Sequence, residues 1–356
     1  GHQRQQHASM TLDQHPQQAL HDEIADLELR LRHARSLLTL PPAPLSAPPL
    51  LDLPTPTHSS LHALLLLADS ALPLGSFAFS SGLESYIAHH KPPSCPPSTT
   101  SSSSTPVNAA AHQLAAFHTF LHLSLANLGS AALPYVLAAY RDPGSVGELD
   151  EEFDATVACA VARRASVSQG RALVGVWEKA FVGAVGGRVN GGGSDGVHDG
   201  DGDGDGDDSS TDTGAEVGRN EQDQHAAAAS ALSAFARLLK RPNPHTSSPA
   251  PSTTPHAHLP PLFGALARAL ALSAPDTAYV FLLSHAKALL SAGVRASVLG
   301  PYQAQAVLAS GALQREIGAV RAREWHRRVA DAGLRSPLAD VWGGRHELLY
   351  SRIFNS

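Results

Sequence analysis

The chain has 356 residues, of which 43% are hydrophobic, enough to bury a large core. With a ceiling of about 250 to 300 residues for a single core, one domain plus loose segments is expected. The formal charge of −6 is concentrated, because residues 186–225 hold nine Asp and two Glu against two Arg, a local −9 that leaves +3 for the rest. Net charge therefore gives no support for nucleic-acid binding, which needs a strongly basic face. Two cysteines, Cys95 and Cys159, are too few for a disulfide framework, so a reducing compartment, the cytoplasm, is expected.

The first residues are polar and rich in His and Gln, show no signal-peptide pattern, and leave Met10 as a candidate start. Residues 1–40 read as an N-terminal extension in which Leu20, Ile24, Leu27, Leu31, Ala34 and Leu38 alternate four and three apart. That heptad seam lasts fewer than three repeats, so it fits an amphipathic helix that docks on its own domain or associates with another copy. Residues 41–57 form a Pro-rich linker. A single helical domain is expected over 58–356, with disordered insertions at 92–107, 186–225 and 241–257, where Pro/Ser, Gly/Asp and Pro-rich stretches oppose regular packed elements.

The next stretch, Asp69 to Tyr86, joins two apolar helical runs. Pro73 should stop the run that begins near Ser59, Gly75 supplies backbone freedom, and Ser80 and Ser81 can cap the helix that restarts towards Leu83. A helix–elbow–helix is predicted, with Phe77 and Phe79 as core anchors if the elbow is only a corner. Further on, Ala109–Ala139 is rich in Ala and Leu, and Leu149–Phe181 repeats apolar residues at helical spacing. Pro275 and Asp276 open a helix that Gly293 can close, and Pro301 opens another running towards Gly333. Its arginines at 321, 323, 327 and 328, with Glu316, Glu324 and Asp331, read as a solvated face. The fold class is all-α. His112, His118, His122, Asn127 and Pro134 interrupt the uncharged stretch between Lys91 and Arg141, which favours a buried core segment over a membrane span.

Chemical motifs are sparse. Gly192–Gly196 matches the nucleophile-elbow pattern but lacks a flanking strand and helix. Asp201–Asp212 has the acidic spacing of an EF-hand loop without its helices. No lysine follows a glycine, which excludes a P-loop. His118 with His122, or His256 with His258, could hold a borderline divalent ion, although neither pair has a third ligand at matching spacing.

Four segments carry a resemblance. The pattern Leu-Pro-x-Gly-x-Phe-x-x-Ser-x-Gly-Leu-Glu over 72–84 resembles the signature of the urease accessory protein family UreF. Arg164–Leu173 is similar to that family's central Ser-Gly helix, Ser291–Gln305 to its late helix pair with a Gly-Pro-x-Gln-x-Gln joint, and Arg345–Ser356 to its C-terminal tail. The resemblance covers roughly 58–90, 108–185 and 257–356, and departs at Ser76, where many members have a second glycine. It implies a non-catalytic, all-α, dimeric scaffold that binds a UreD/UreH-type accessory protein and recruits the GTPase UreG. The urease apoprotein is the target, and nickel is handled by the complex rather than held as a stable cofactor. The motif positions carried over are Pro73, Gly75, Phe77, Ser80, Gly82, Leu83 and Glu84 in the elbow, and Ser166 and Gly170 in the central helix. Gly300, Gln303 and Gln305 come from the joint, and Tyr350, Arg352, Ile353 and Phe354 from the tail. The other readings are a helical enzyme or metal carrier using Glu84 or Asp69 with histidines, and a bare helical interaction module. Co-purification with a GTPase separates the scaffold from the module.

Overall fold

The computed structural model describes residue 28 and residues 57–90, 106–183, 185, 213–240 and 255–355. The seam at 18–40 apart from Glu28, the Pro-rich linker to residue 56, residues 91–105, the Gly/Asp tract 186–212 and residues 241–254 lie outside the described residues. The chain divides into two units, 1–54 and 55–356. The first is represented by Glu28, which is in a helix; the second contains the domain.

Among the described residues every regular element is helical. In chain order these are α1 (Thr57–Ala68), a 3-10 turn (Ser76–Ala78), α2 (Leu83–His89), α3 (Pro106–Ala131), α4 (Leu133–Arg141), α5 (Val146–Thr156) and α6 (Ala160–Val176). The last runs on into a π-helical turn at Trp177–Phe181. Then come α7 (Thr213–Leu239), α8 (Leu259–Ala269), α9 (Ala274–Arg295), α10 (Pro301–Leu308), α11 (Gly311–Glu324) and α12 (Leu338–Arg345).

The core is built around α8. Pro260 and Pro261 suit its first turn, where amides have no intrahelical partner, and Pro260 through Ala267 are all buried. α8 packs on α4, α5, α6 and α7. A Cβ on Gly264 would stand 2.0 Å from the Val136 carbonyl oxygen, so α8 and α4 meet backbone to backbone. A second layer sets α3 against α9 and α11, where Gly129 admits the Val320 side chain and Gly293 admits Phe117. Two helical stretches, Ala110–Arg141 and Ala274–Arg295, are long and apolar enough to cross a membrane. Their apolar windows are 67% and 56% buried inside the domain, as expected of core helices.

Several expectations need correction. The acidic insertion does not extend to His225: α7 already runs from Thr213, and His225 Nδ1 lies 2.7 Å from the Arg268 carbonyl. The Ala- and Leu-rich sequence after His225 supplies the helix with its buried face, Ala228, Leu232, Phe235 and Ala236, and most helical stability comes from such packing. The insertion at 92–107 ends sooner, with Pro106 opening α3. The Pro-rich stretch 241–257 ends in ordered chain, because the Asp150 carboxylate accepts the amides of His256, Ala257 and His258 at 2.7, 2.9 and 2.5 Å. The expected helix from Pro301 to Gly333 breaks at Ser310, whose hydroxyl accepts the Leu313 amide and restarts the chain as α11. Glu324 is not part of a solvated face. It is fully buried and binds Arg323, Arg327 and, at 3.5 Å, Arg335.

Candidate functional site: the elbow and the tail that covers it

α1 ends at Ala68, before Pro73, because the Asp69 side chain accepts the Ala71 amide at 3.0 Å and starts the turn. Gly75 then takes φ +70° and Gly82 φ +86°, left-handed conformations that a side chain strains. α2 starts from Gly82, so the expected serine caps are replaced by a glycine whose backbone makes the bend. A Cβ on Gly82 would meet the Gly343 amide nitrogen at 2.9 Å, which brings α12 directly onto the elbow. Leu83 is buried behind it, as is Ser80, while Pro73 is exposed. Phe77 is no core anchor: it is 67% exposed. Phe79 is half-buried.

The tail, residues 346–355, folds back over this elbow. The Ile353 and Phe354 amides donate to the two Glu84 oxygens at 2.9 and 3.3 Å, and the Asn355 amide donates to the Ala78 carbonyl at 2.8 Å. The Phe354 ring is 5% exposed and lies 4.4 Å from the Arg295 guanidinium, in cation–π contact. Trp342 of α12 packs edge-on to Tyr86 and beside His89 and His90. Phe354 is thus a ring already covered by its own domain, whereas Ile353, Tyr350 and Leu348 are outward. Phe77, next in sequence to the Ala78 whose carbonyl takes the Asn355 amide, is exposed as well, and the tail also carries Arg352 and Glu347, the latter paired with Arg164 of α6.

The central helix α6 reaches the elbow too. Its Gln169 accepts the Ser76 hydroxyl at 2.9 Å. Gly170 passes so close to the segment before α8 that a Cβ would lie 2.0 Å from the Ala257 oxygen. Ser166 Oγ accepts the Leu259 amide at 3.3 Å and lies 3.0 Å from His258 Nδ1. His258 Nε2 reaches Asp154 at 2.8 Å. The Arg163 guanidinium grips Asp154 with two bonds and, with help from His258, holds its carboxyl down at about 2. Burial pushes His258 below the ordinary histidine value. These contacts make Ser166 and Gly170 packing residues of the α6–α8 joint.

Not all the carried-over positions join the elbow. Gln303 is spent locally, accepting the Gly300 amide at 2.9 Å, and Gln305 is exposed on α10. The histidine pairs have protein partners: His122 meets Glu316 at 2.6 Å, and His256 and His258 both face Asp154. No group of three or more His, Cys, Asp or Glu among the described residues is placed to hold a metal ion.

Sequence reasoning missed a cavity of about 300 Å³ beneath the elbow, lined by Ser76, Phe79, Ser124, Cys159, His285 and Asp340. His285 Nε2 lies 2.8 Å from Ser124 Oγ, and burial holds its imidazole down at about 4, so it is neutral near pH 7. His285 keeps part of its surface and lines the cavity. No spacing in the sequence pairs residue 124 with residue 285.

Comparison with known proteins bears on this arrangement. The UreF family profile matches residues 111–312. A Schizosaccharomyces pombe protein described as an uncharacterized urease accessory protein UreF-like is 29% identical over 302 residues, 85% of this chain and all of that protein. Urease accessory protein F of Arabidopsis thaliana is 25% identical over 292 residues, covering 82% of this chain and 90% of its own length. Urease accessory protein 6 of Cryptococcus neoformans is 24% identical over 346 residues, 85% of this chain and 98% of that protein.

Proposed function

The chain belongs to the UreF family, and from that premise we propose that it is a non-catalytic scaffold of urease maturation. In this reading it bridges a UreD/UreH-type accessory protein and a UreG-type GTPase in the cytoplasm, acts on the urease apoprotein, and works as a homodimer. Nickel travels as cargo of the assembly.

The observation that carries the reading is the elbow–tail surface. Phe77, Leu348, Tyr350 and Ile353, in or next to the elbow–tail contact, stand in water, while other exposed apolar side chains, such as Leu61, Leu65 and Tyr302, lie on α1 and α10. Solvent-facing apolar side chains gathered at one place mark surfaces used for protein contact. Family relatives that carry the name urease accessory protein make a maturation partner the natural occupant.

The test mixes the full chain with UreD/UreH-type and UreG-type proteins from the same source and follows them by size exclusion with light scattering. A ternary species of defined mass, lost on Tyr350→Ala or Phe77→Ala while the isolated variants melt normally, is expected. The same run reports the mass of the chain alone. Co-elution unchanged by both substitutions would remove the surface from the reading.

A further inference from the structure

We propose that Arg323, Arg327 and Arg335, gathered on the buried Glu324 carboxylate, form a site for a phosphate dianion, either free or as the headgroup of a lipid.

A carboxylate withdrawn from water needs a cation beside it, and one cation is enough to neutralise it. Glu324, the last residue of α11, keeps none of its side-chain surface and has three. Arg323 Nε donates to Oε1 at 2.6 Å, Arg327 Nε donates to Oε2, and Arg335 Nε stands 3.5 Å from Oε1. Burial raises the Glu324 pKa, but the Arg323 and Arg327 bonds outweigh it and hold the carboxyl below its ordinary value, so it is ionised near pH 7. Three guanidinium charges less one carboxylate leave a surplus of two. A phosphate monoester carries about −1.5 to −2 near pH 7, which matches that surplus, whereas a carboxylate or chloride leaves one cation unmatched.

The guanidiniums also have donors left over. Each meets Glu324 through Nε, its inner nitrogen, and the three side chains keep 36, 28 and 45% of their surface in chain order. Arg327 gives Nη1 to the Asp331 carbonyl at 2.8 Å, but among the described residues no group takes the Nη atoms of Arg323 or Arg335. Because Arg323 and Arg335 approach the same oxygen, their heads are close neighbours, and planar forks of this kind take phosphate oxygens two at a time.

The neighbouring acids are already engaged. Asp331 holds Arg328 through two bonds, at 2.8 and 3.2 Å. Glu316, eight residues before Glu324 on α11 and so about 12 Å along the helix, meets His122. Arg141 adds a further cation from α4, its Nη2 donating to the Trp325 carbonyl at 3.1 Å.

The segment that carries Arg335 is fixed as well. The Asn127 side chain donates to the Ser336 carbonyl at 2.9 Å and accepts the Ser336 amide at 2.7 Å, and the Gly333 amide donates to the Ser130 carbonyl at 3.1 Å. Cations held in place before the ligand arrives spare it the entropy of ordering them.

The test is calorimetric titration of the isolated full chain with sodium phosphate, with sodium chloride at matched ionic strength as the reference for screening. One phosphate per chain is expected, together with a melting temperature that rises with phosphate and not with chloride. Arg323→Gln should weaken binding at least about tenfold, and so should Arg335→Gln, which removes the cation farthest from Glu324 and so disturbs the fold least. Arg315→Gln removes the same charge from an earlier turn of α11 and should leave binding within about twofold. Sedimentation with phosphatidylcholine vesicles containing phosphatidic acid separates the two sources. Heat from free phosphate assigns a soluble ligand, whereas capture of the parent but not of Arg335→Gln by these vesicles, without heat from free phosphate, assigns a lipid headgroup. Absence of both, or binding that Arg315→Gln weakens as much as Arg323→Gln and Arg335→Gln do, overturns the site.

Discussion

Gly170 in α6 touches Ala257 so closely that a single added carbon would stand 2.0 Å from the Ala257 carbonyl oxygen. Gly170→Ala must therefore push α6 away from the segment that Asp150 holds, at a cost of about 1 to 3 kcal/mol or more from overpacking. Gly175, on the same helix with nothing near its Cβ position, is the control. Gly175→Ala should be neutral or stabilising by about 0.5 to 1 kcal/mol through helix propensity. Chemical denaturation of the two variants side by side checks both signs.

The two elbow glycines should rank in a definite order. Gly75→Val strains a left-handed backbone in open space, whereas Gly82→Val adds to that strain a clash with the Gly343 amide at 2.9 Å. Strain alone costs about 1 to 3 kcal/mol, so Gly82→Val should be the worse by at least about 1 kcal/mol, since backbone on α12 has to move. Equal melting temperatures for the pair would show that α12 yields freely.

His285 makes stability depend on pH. Its folded value, about 4, is below the unfolded value of about 6.5, so the unfolded chain binds the proton more tightly. The stabilisation of the neutral imidazole is present above pH 6.5 and is lost progressively as pH falls towards 4, to a total of roughly 2 to 4 kcal/mol. Replacing it in His285→Leu should flatten the unfolding free energy between pH 6.5 and 4, measured by urea titration at each pH.

The two faces of the tail should separate stability from binding. Phe354→Ala removes a buried ring and should destabilise the isolated chain by about 3 to 5 kcal/mol. Tyr350→Ala, at a fully exposed position, should leave the melting curve within about 0.5 kcal/mol of the parent and weaken partner binding. Truncation after Tyr350 should do both. A truncated chain that melts like the parent would mean that Phe354 and the Glu84 bonds contribute little in solution.

Deleting residues 186–208 should change folding stability by less than about 1 kcal/mol. Loop-closure entropy grows slowly with length, and a Gly/Asp tract has little apolar surface to bury. Calorimetry of the deletion, with the complex assay repeated on it, tests whether the tract is more than a tether.

Local chemistry decided what could be read without the fold. Apolar residues at helical spacing, prolines at first-turn positions and the absence of β-branched alternating runs were enough for an all-α domain, because each depends on neighbours within a turn or two. The elbow was legible for the same reason: glycine at 75 and 82 signals backbone freedom whatever surrounds it. Four short motifs in order were enough to suggest the family. Tertiary structure alone decided the rest. Only the fold shows that Phe77 faces water while Phe354, 277 residues later, is buried, and that Glu84 binds tail amides rather than acting as a charge in solution. Only it shows that Asp150 holds the amides of His256, Ala257 and His258 a hundred residues away, and that the α7 helix begins inside a run that reads as acidic insertion. Each of these outcomes turns on a contact between distant segments, and the free energy of such a contact depends on where packing places the two chains, which no local pattern encodes.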